Sequence, residues 1–154
     1  MKAEYINPFV LASFSVLEMV VGNRPTKGEM SVLPKTFPSD QCNIVCGISG
    51  QLHGQVIYGM SLLTADSIAS AMLGTKVKSF DMLAASAIGE LGNMITGNAM
   101  QLLSESGYEC DITPPSIVRG TNVNFNTLSV AAILVPLMSD HGQISLTIGL
   151  SERK

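Results

Sequence analysis

The amino-acid sequence predicts an α+β domain in which one mainly antiparallel sheet carries two long helices on one face. Three observations lead to this fold class. The stretch 80–106 repeats its apolar residues at helical spacing. The segment 128–150 resembles a strand hairpin, since aliphatic and β-branched residues surround a turn at 139–142. A helix followed by about three strands occurs twice, which indicates a pseudo-repeat with layered packing.

Length and composition favour a single domain, residues 1–154. A chain of 154 residues buries about 70% of its unfolded surface, so it needs no disulfide or metal to hold a core. Charged residues make up only 14%, against roughly 25% in an average globular protein. A low charge content leaves apolar surface for a partner to cover, so we expect the chain to form an oligomer.

Charge and cysteine content exclude several classes of function. The net charge is −3, the nine Lys and Arg residues are scattered and there is no Trp, so nucleic-acid binding is disfavoured. Polar residues interrupt the apolar N-terminus, so we expect neither a signal peptide nor a membrane span. Three cysteines, an odd number, argue against a disulfide framework. We therefore expect a cytoplasmic protein with free thiols.

The first predicted half covers about 6–62. It begins with a helix at 7–22, for which Asn7 is a suitable cap and Pro8 suits the first helical position. The segment 23–27 is predicted to be a turn and 37–41 a loop. Three segments have the composition of strands: 29–33, 42–49 and 52–62.

A short connecting helix at about 64–74, capped by Thr64 and ended by Gly74, leads to the second half at about 79–151. That half begins with the long helix 80–106, where Ser79 or Asp81 is the expected cap and Gly107 the left-handed stop. Four segments are predicted strands: 108–112, 117–120, 128–138 and 143–150. Thr113, Pro114 and Pro115 interrupt the first two.

The outward face of the long helix is unusual. Its apolar face carries Ile88, Leu91, Ile95, Ala99 and Leu102, and the opposite stripe carries Ser86, Glu90, Asn93, Gly97, Gln101 and Ser104. Three glycines, at 89, 92 and 97, each cost a helix roughly 1 kcal/mol. One interpretation is a low polar patch that enters another molecule's site. The simpler one is a solvated face whose glycines let the helix approach a strand.

Other candidate sites are weaker. Cys42 and Cys46 on one strand would lie about 13 Å apart, too far to share a metal ion, so we expect buried thiols and no metal site. His53 and His141 have no nearby sequence partner for a catalytic triad.

The spacing Ser86-x3-Glu90-x2-Asn93, with Pro115 further along, resembles the signature of the CheC/CheX/FliY family of bacterial chemotaxis phosphatases. The opening INPF at 6–9 and GELGNMITGNA at 89–99 look most like the CheX members. The resemblance implies a hydrolase of two-component signalling that removes the phosphoryl group from the aspartyl-phosphate of a CheY-like receiver domain. It also implies a homodimer.

The resemblance assigns roles to individual residues. Asn93 would position the attacking water, Glu90 would pair with a lysine of the receiver, and Ser86 and Pro115 would support them. Mg²⁺ would be held by the receiver, and this chain would bind no cofactor.

Related CheC-like proteins carry the motif on both long helices. Here Glu18 is kept in the first helix, but Val21 replaces the Asn and Phe14 replaces the Ser or Asp. The first site is therefore predicted to be inactive.

A non-catalytic alternative stays open. The same fold could serve as a receiver-binding adaptor or as a homodimeric structural module. The catalytic hypothesis requires Glu90 and Asn93 to be exposed together on one shallow face, whereas burial of both against the sheet would favour the structural one. A ligand-binding domain would need a pocket between helices and sheet, and the sequence shows no polar core residues to line it.

Overall fold

The computed structural model describes residues 1–126 and 131–153, in which three helices pack on one face of a large sheet. The helices are α1 (Ala3–Val21), α2 (Leu62–Leu73) and α3 (Met82–Glu105). The strands are β1 (Thr26–Lys27), β2 (Ser31–Leu33), β3 (Thr36–Pro38), β4 (Cys42–Gly50), β5 (Leu52–Met60), β6 (Cys110–Ile112), β7 (Ser116–Arg119), β8 (Asn124–Asn126), β9 (Ala132–Ser139) and β10 (Gly142–Glu152). The predicted α+β class is confirmed.

The sheet has an internal pseudo-twofold symmetry. Its strand order is β1-β9-β10-β5-β4-β6, with β2 also beside β9 and β7 also beside β4, and β3 pairs separately with β8. Every pairing is antiparallel. If each of β1 to β5 is exchanged with its counterpart in β6 to β10, the same strand order results, listed from the opposite edge of the sheet. The two halves therefore share one continuous sheet, with β5 and β10 at its centre.

The halves contain more strands than the sequence indicates. Each has five in the described chain, whereas the sequence indicates three strand segments in the first half and four in the second, because β1, β3 and β8 are only two or three residues long. β1 lies in the predicted turn and β3 overlaps the predicted loop. Their partners, β9 and β8, are distant in sequence, so no local pattern could reveal them. Of the strand predicted from 128, residues 128–130 lie outside the described residues.

Helix α1 begins earlier than predicted. Lys2, not Asn7, is the N-cap residue, and Pro8 lies inside the helix. A proline here removes the hydrogen bond to the carbonyl of Glu4 and crowds that carbonyl with its ring, at a cost of about 3 kcal/mol. The additional first turn buries Tyr5 and Ile6 in the core, and the Tyr5 ring meets Tyr108 edge-on at 5.4 Å. This tertiary packing outweighs the local start signal.

Helix α2 also begins earlier than predicted. Ser61, not Thr64, is the cap, and its hydroxyl accepts a hydrogen bond from the Thr64 amide at 3.1 Å. Gly74 ends the helix with φ of 70°, as predicted. Both Ser and Thr can serve as caps, so the pattern alone could not decide between them.

Helix α3 lies close to its predicted bounds. Asp81 is its cap and accepts from the Ala84 amide at 2.8 Å, while Gly107 adopts φ of 95° after its end. Ile88, Leu91, Ile95 and Ala99 are buried. The predicted amphipathic orientation of this helix is thus correct.

By length and composition alone, α1 could cross a membrane, and it is the one such helix in the described chain. Half of its most apolar window is buried inside the fold. Phe9 and Leu17 are fully buried, which is typical of a core helix.

Candidate functional site

The predicted site residues line one open groove. The N-terminal half of α3 forms one wall, and the segment from β6 to β7 forms the other. The groove has a volume of about 760 Å³ and is lined by Met82, Ala85, Ser86, Gly89, Glu90, Asn93, Ile112, Thr113, Pro114, Pro115 and Ile117. Ser86, Glu90, Asn93 and Pro115 are therefore brought together, although Pro115 lies more than twenty residues beyond Asn93 in the chain.

Glu90 and Asn93 present uncommitted polar groups to the groove. Glu90 is exposed and Asn93 is half-buried, and their three-residue spacing places them on one side of α3. Within the described chain, neither side chain makes a hydrogen bond or an ion pair. A carboxylate and a carboxamide held side by side without partners are free to bind another molecule.

The wall opposite α3 is anchored to the central sheet. The Gly47 amide of β4 donates to Thr113 Oγ1 at 2.9 Å, and the Thr113 amide donates back to the Gly47 carbonyl at 3.0 Å. A Cβ on residue 47 would lie 3.0 Å from Thr113 Oγ1, so a larger residue would push the loop away. Pro115 follows two residues later. The prolines are visible in the sequence as a break between strands, but the role of Gly47, an isolated glycine within a predicted strand, was not predicted.

Helix α3 is held against the sheet by close packing and a buried hydrogen-bond chain. A Cβ at Gly92 would lie 2.5 Å from Ile44 Cγ2, so this glycine permits close approach to β4. Thr96 Oγ1 donates to the Gly92 carbonyl at 2.7 Å. The Tyr58 hydroxyl lies 2.7 Å from the same Oγ1 and must then be the donor, and burial raises the pKa of Tyr58.

The three glycines of α3 therefore differ in role. Gly92 is buried against the sheet, as the simpler interpretation requires. Gly89 lines the groove, and a Cβ added at this position would lie 4.0 Å from Ile117 Cδ1. Gly97 is exposed and a Cβ there would meet nothing. Of these three glycines, Gly92 alone is required by a close contact with another described residue.

On the corresponding surface of α1, the glutamate is paired with an arginine from the segment that follows the helix. Glu18 lies 3.5 Å from Arg24, and the Arg24 guanidinium lies over the Phe14 ring at 5.0 Å. Val21 is the last residue of the helix, before Gly22 at φ of 85°. Glu18 is thus already paired, in contrast to Glu90. That this surface is inactive stays a prediction.

The remaining polar candidates have structural surroundings. Burial raises the pKa of Cys42 to about 11 and also raises that of Cys46, so neither is a reactive thiolate. His53 Nε2 lies 3.2 Å from Ser151 Oγ, and His141 Nδ1 lies 2.5 Å from Ser67 Oγ. Across residues 1–126 and 131–153, no three His, Cys, Asp or Glu side chains gather as metal ligands.

The pseudo-symmetric α+β sheet with its long helices is the fold of solved CheC-like, CheX and FliY proteins. A CheC-like protein from Shewanella sp. PV-4 has a TM-score of 0.89 and 28% identity, covering 98% of this chain and 99% of that one. CheX in the Borrelia burgdorferi CheX–CheY–BeF₃–Mg²⁺ complex has a TM-score of 0.83 and 28% identity, covering 96% and 98%. Thermotoga maritima FliY, at 19% identity, shares the fold with a TM-score of 0.68, covering 95% and 86%.

The sequence comparisons identify the family. The family described as chemotaxis phosphatase CheX matches residues 42–138. The CheY-P phosphatase CheX of Thermotoga maritima is 34% identical over 131 residues, which cover 84% of each chain. The chain belongs to the CheX family of chemotaxis phosphatases, and the family resemblance seen in the motif is confirmed. The chain is therefore a phosphatase.

Proposed function

We propose that this chain hydrolyses the aspartyl-phosphate of a CheY-like receiver domain, with Glu90 and Asn93 inserted into the receiver's phosphorylation site. The observation that carries the proposal is the pair of unpartnered side chains on one face of α3, at an open groove. The Thermotoga maritima relative is named a CheY-P phosphatase, and the Borrelia burgdorferi neighbour was solved with CheY. Both support a receiver as the partner.

The proposed reaction is a phosphoryl transfer to water. A water oxygen forms the new bond to phosphorus while the bond from phosphorus to the aspartyl oxygen breaks. The aspartate leaves with the electron pair, and the water proton passes to the phosphate or the solvent. Such transfers depend on in-line positioning more than on bond-making by the enzyme. What this chain has to supply to the phosphorylated receiver is therefore a group that orients the attacking water molecule.

Asn93 supplies that orientation. A carboxamide accepts one hydrogen bond through its oxygen and donates two through its nitrogen. Its oxygen would accept from the attacking water while its nitrogen donates to a phosphoryl oxygen. An amide is too weak a base to remove the proton, so its contribution is positional. Half-burial of Asn93 in the groove limits the rotation of the side chain.

Glu90 fixes the docking geometry. Its exposed carboxylate has no cationic partner in the described chain, so a lysine of the receiver could pair with it. Ser86 and Pro115 flank the inserted pair on the two walls. Mg²⁺ would come with the receiver, and this chain would contribute no cofactor. We place the reaction in the cytoplasm, between a homodimer of this chain and the receiver.

Loss of phosphate from a receiver tests the proposal. As substrates, the assay uses the CheY-type proteins of the same cell and Borrelia burgdorferi CheY. Each receiver is first phosphorylated with acetyl phosphate, and this chain is then added. Wild-type protein should shorten the lifetime of the phosphorylated form. Asn93→Ala should abolish this effect with binding largely intact, and Glu90→Ala should weaken both. Full activity of Asn93→Ala would contradict the mechanism.

The competing function is a non-catalytic adaptor or a structural module. An adaptor would bind the phosphorylated receiver and leave its lifetime unchanged, and a structural module would not bind it. The exposure of Glu90 and the open groove favour the catalytic function over the structural module, and the measured lifetime of the phosphorylated receiver distinguishes it from the adaptor.

A further inference from the structure

The groove continues past the proposed catalytic pair to an exposed apolar residue. Met82 begins α3 and lies one helical turn before Ser86, which continues the row formed by Ser86, Glu90 and Asn93. Its side chain is 88% exposed, and it lines the same groove. Single exposed apolar residues are ordinary on protein surfaces. Here the position is special because the residue extends the wall that carries the proposed catalytic groups.

An arginine without an acidic partner is fixed near the same end of the groove. The Arg119 guanidinium lies over the Phe80 ring at 4.8 Å and donates to the Phe80 carbonyl at 3.4 Å. Phe80 is two residues before Met82, and Arg119 is two residues after Ile117, which lines the groove. Among the described residues Arg119 forms no ion pair, although the chain as a whole is acidic.

The first half of the fold provides a contrast. Arg24 has the same kind of stacking contact, over Phe14 at 5.0 Å, but its charge is paired with Glu18 at 3.5 Å. The charge of Arg24 is therefore balanced by a carboxylate of α1, whereas the charge of Arg119 has no such partner among the described residues. Arg119 can thus attract an anionic group of a partner at this end of the groove, whereas Arg24 is already paired.

We infer that Met82 and Arg119 form a docking ledge for the phosphorylated receiver, separate from the groups that act on water. The inference rests on the proposed function and adds the determinants of affinity to it. The phosphoryl group itself would lie at Asn93, about 16 Å along α3 from Met82, so Arg119 would pair instead with acidic side chains of the receiver that surround its phosphorylation site. Met82 is flexible and apolar, so it can pack against apolar side chains beside the phosphorylation site. Met82 lines the same groove as Glu90 and Asn93, and Arg119 lies beyond that end of the groove, at a neighbouring hollow that it lines with Gln41 and Leu62.

Steady-state phosphate release measured against receiver concentration tests the ledge. Met82→Gln should raise KM about tenfold, as expected for losing most of one buried methionine side chain, with kcat unchanged. Arg119→Gln should raise KM several-fold at low ionic strength, and the difference should shrink at high salt, since screening weakens the attraction.

Two matched variants, one on α1 and one just after its end, serve as the α1 controls. Met19→Gln changes another methionine, 67% exposed, and Arg24→Gln removes the other stacked arginine. Both should leave KM and its salt dependence at wild-type values. Circular dichroism and the unfolding midpoint check that each variant is folded. If Met82→Gln and Arg119→Gln leave KM unchanged, or if the controls raise it equally, the ledge is wrong.

Failure of the proposed function is distinguishable from failure of the ledge. If wild-type protein leaves the lifetime of every phosphorylated receiver unchanged, the phosphatase proposal fails. The ledge is then tested by calorimetric binding of beryllofluoride-activated CheY. Weaker binding by Met82→Gln and Arg119→Gln, but not by the α1 controls, would support it. Equal binding by all variants, or no binding at all, would overturn it.

Discussion

Gly97 is the glycine of α3 whose presence the chain itself does not explain. A Cβ there would touch nothing, yet glycine costs a helix about 1 kcal/mol relative to alanine. The position lies one turn beyond Asn93 on an exposed part of the helix. A flat surface next to an inserted side chain would let the partner's backbone approach closely. The residue thus fits a functional requirement better than a structural one.

Gly97→Ala should raise the free energy of unfolding by about 1 kcal/mol and lower phosphatase activity several-fold. Urea denaturation and phosphate release measure the two effects. Gly92→Ala is the matched control. Its Cβ would lie 2.5 Å from Ile44 Cγ2, so overpacking should lower stability by about 1–3 kcal/mol. Higher stability of Gly97→Ala with full activity would show that no close approach occurs at this position.

At the scale of the element, the wall that carries Pro115 depends on two hydrogen bonds between Thr113 and Gly47. These bonds connect a short irregular segment to β4, one of the two longest strands of the first half. The wall is therefore as rigid as the sheet at this point. A groove built from one helix and one anchored loop can hold its width without the partner.

Thr113→Val should remove the acceptor for the Gly47 amide while keeping the shape of the side chain. We expect a loss of about 1 kcal/mol in the free energy of unfolding and a several-fold fall in activity, because the Pro115 wall becomes mobile. Thr75→Val, at an exposed position outside the groove, should change neither. Wild-type activity for Thr113→Val would show that the wall does not take part.

Elements that are long and amphipathic could be predicted from the sequence, and those that depend on distant partners could not. Helix α3 was predicted at 80–106 and is found at Met82–Glu105, because its apolar period and its Asp81 and Gly107 signals agree. The predicted start of α1 at residue 7 is wrong, because burial of Tyr5 and Ile6 outweighs the local cap signal of Asn7. Strands β1, β3 and β8 have only two or three residues, too few for a period to be recognised.

The same distinction applies to the site. Ser86, Glu90 and Asn93 share one helix, so their spacing alone placed them on one stripe. Pro115 was linked to them by family resemblance, and the fold brings it to the opposite wall. Met82 and Arg119 were missed. An exposed methionine has no sequence signature, and the Arg119 stack on Phe80 depends on β7 lying beside the start of α3.

At the scale of the whole molecule, the low charge content suggests that the chain associates with a second copy. Large apolar side chains remain exposed near the edge of the sheet where β1 and β2 pair with β9, among them Val32 at 67% and Met138 at 48%. We expect sedimentation equilibrium at micromolar concentration to give twice the chain mass of 16.3 kDa. A single species at the chain mass would contradict the homodimer.

The pseudo-twofold symmetry makes the difference between α1 and α3 informative. Both helices pack on the same sheet in equivalent halves, but only α3 leaves its glutamate unpaired. On α1, Arg24 neutralises Glu18 and covers Phe14, and the helix ends at Val21. A second site would need the missing amide and also an uncovered surface. Restoring one residue should therefore not restore function.

Val21→Asn in the inactive Asn93→Ala background tests this last point. We expect no recovery of phosphate release, because Glu18 would still be held by Arg24 and the surface would still be covered. Adding Phe14→Ser and Arg24→Ala removes the cover and frees the carboxylate. If the fold's symmetry extends to the docking geometry, this fourfold variant should show turnover above the Asn93→Ala background. Recovery with Val21→Asn alone would mean that Arg24 does not block the first half.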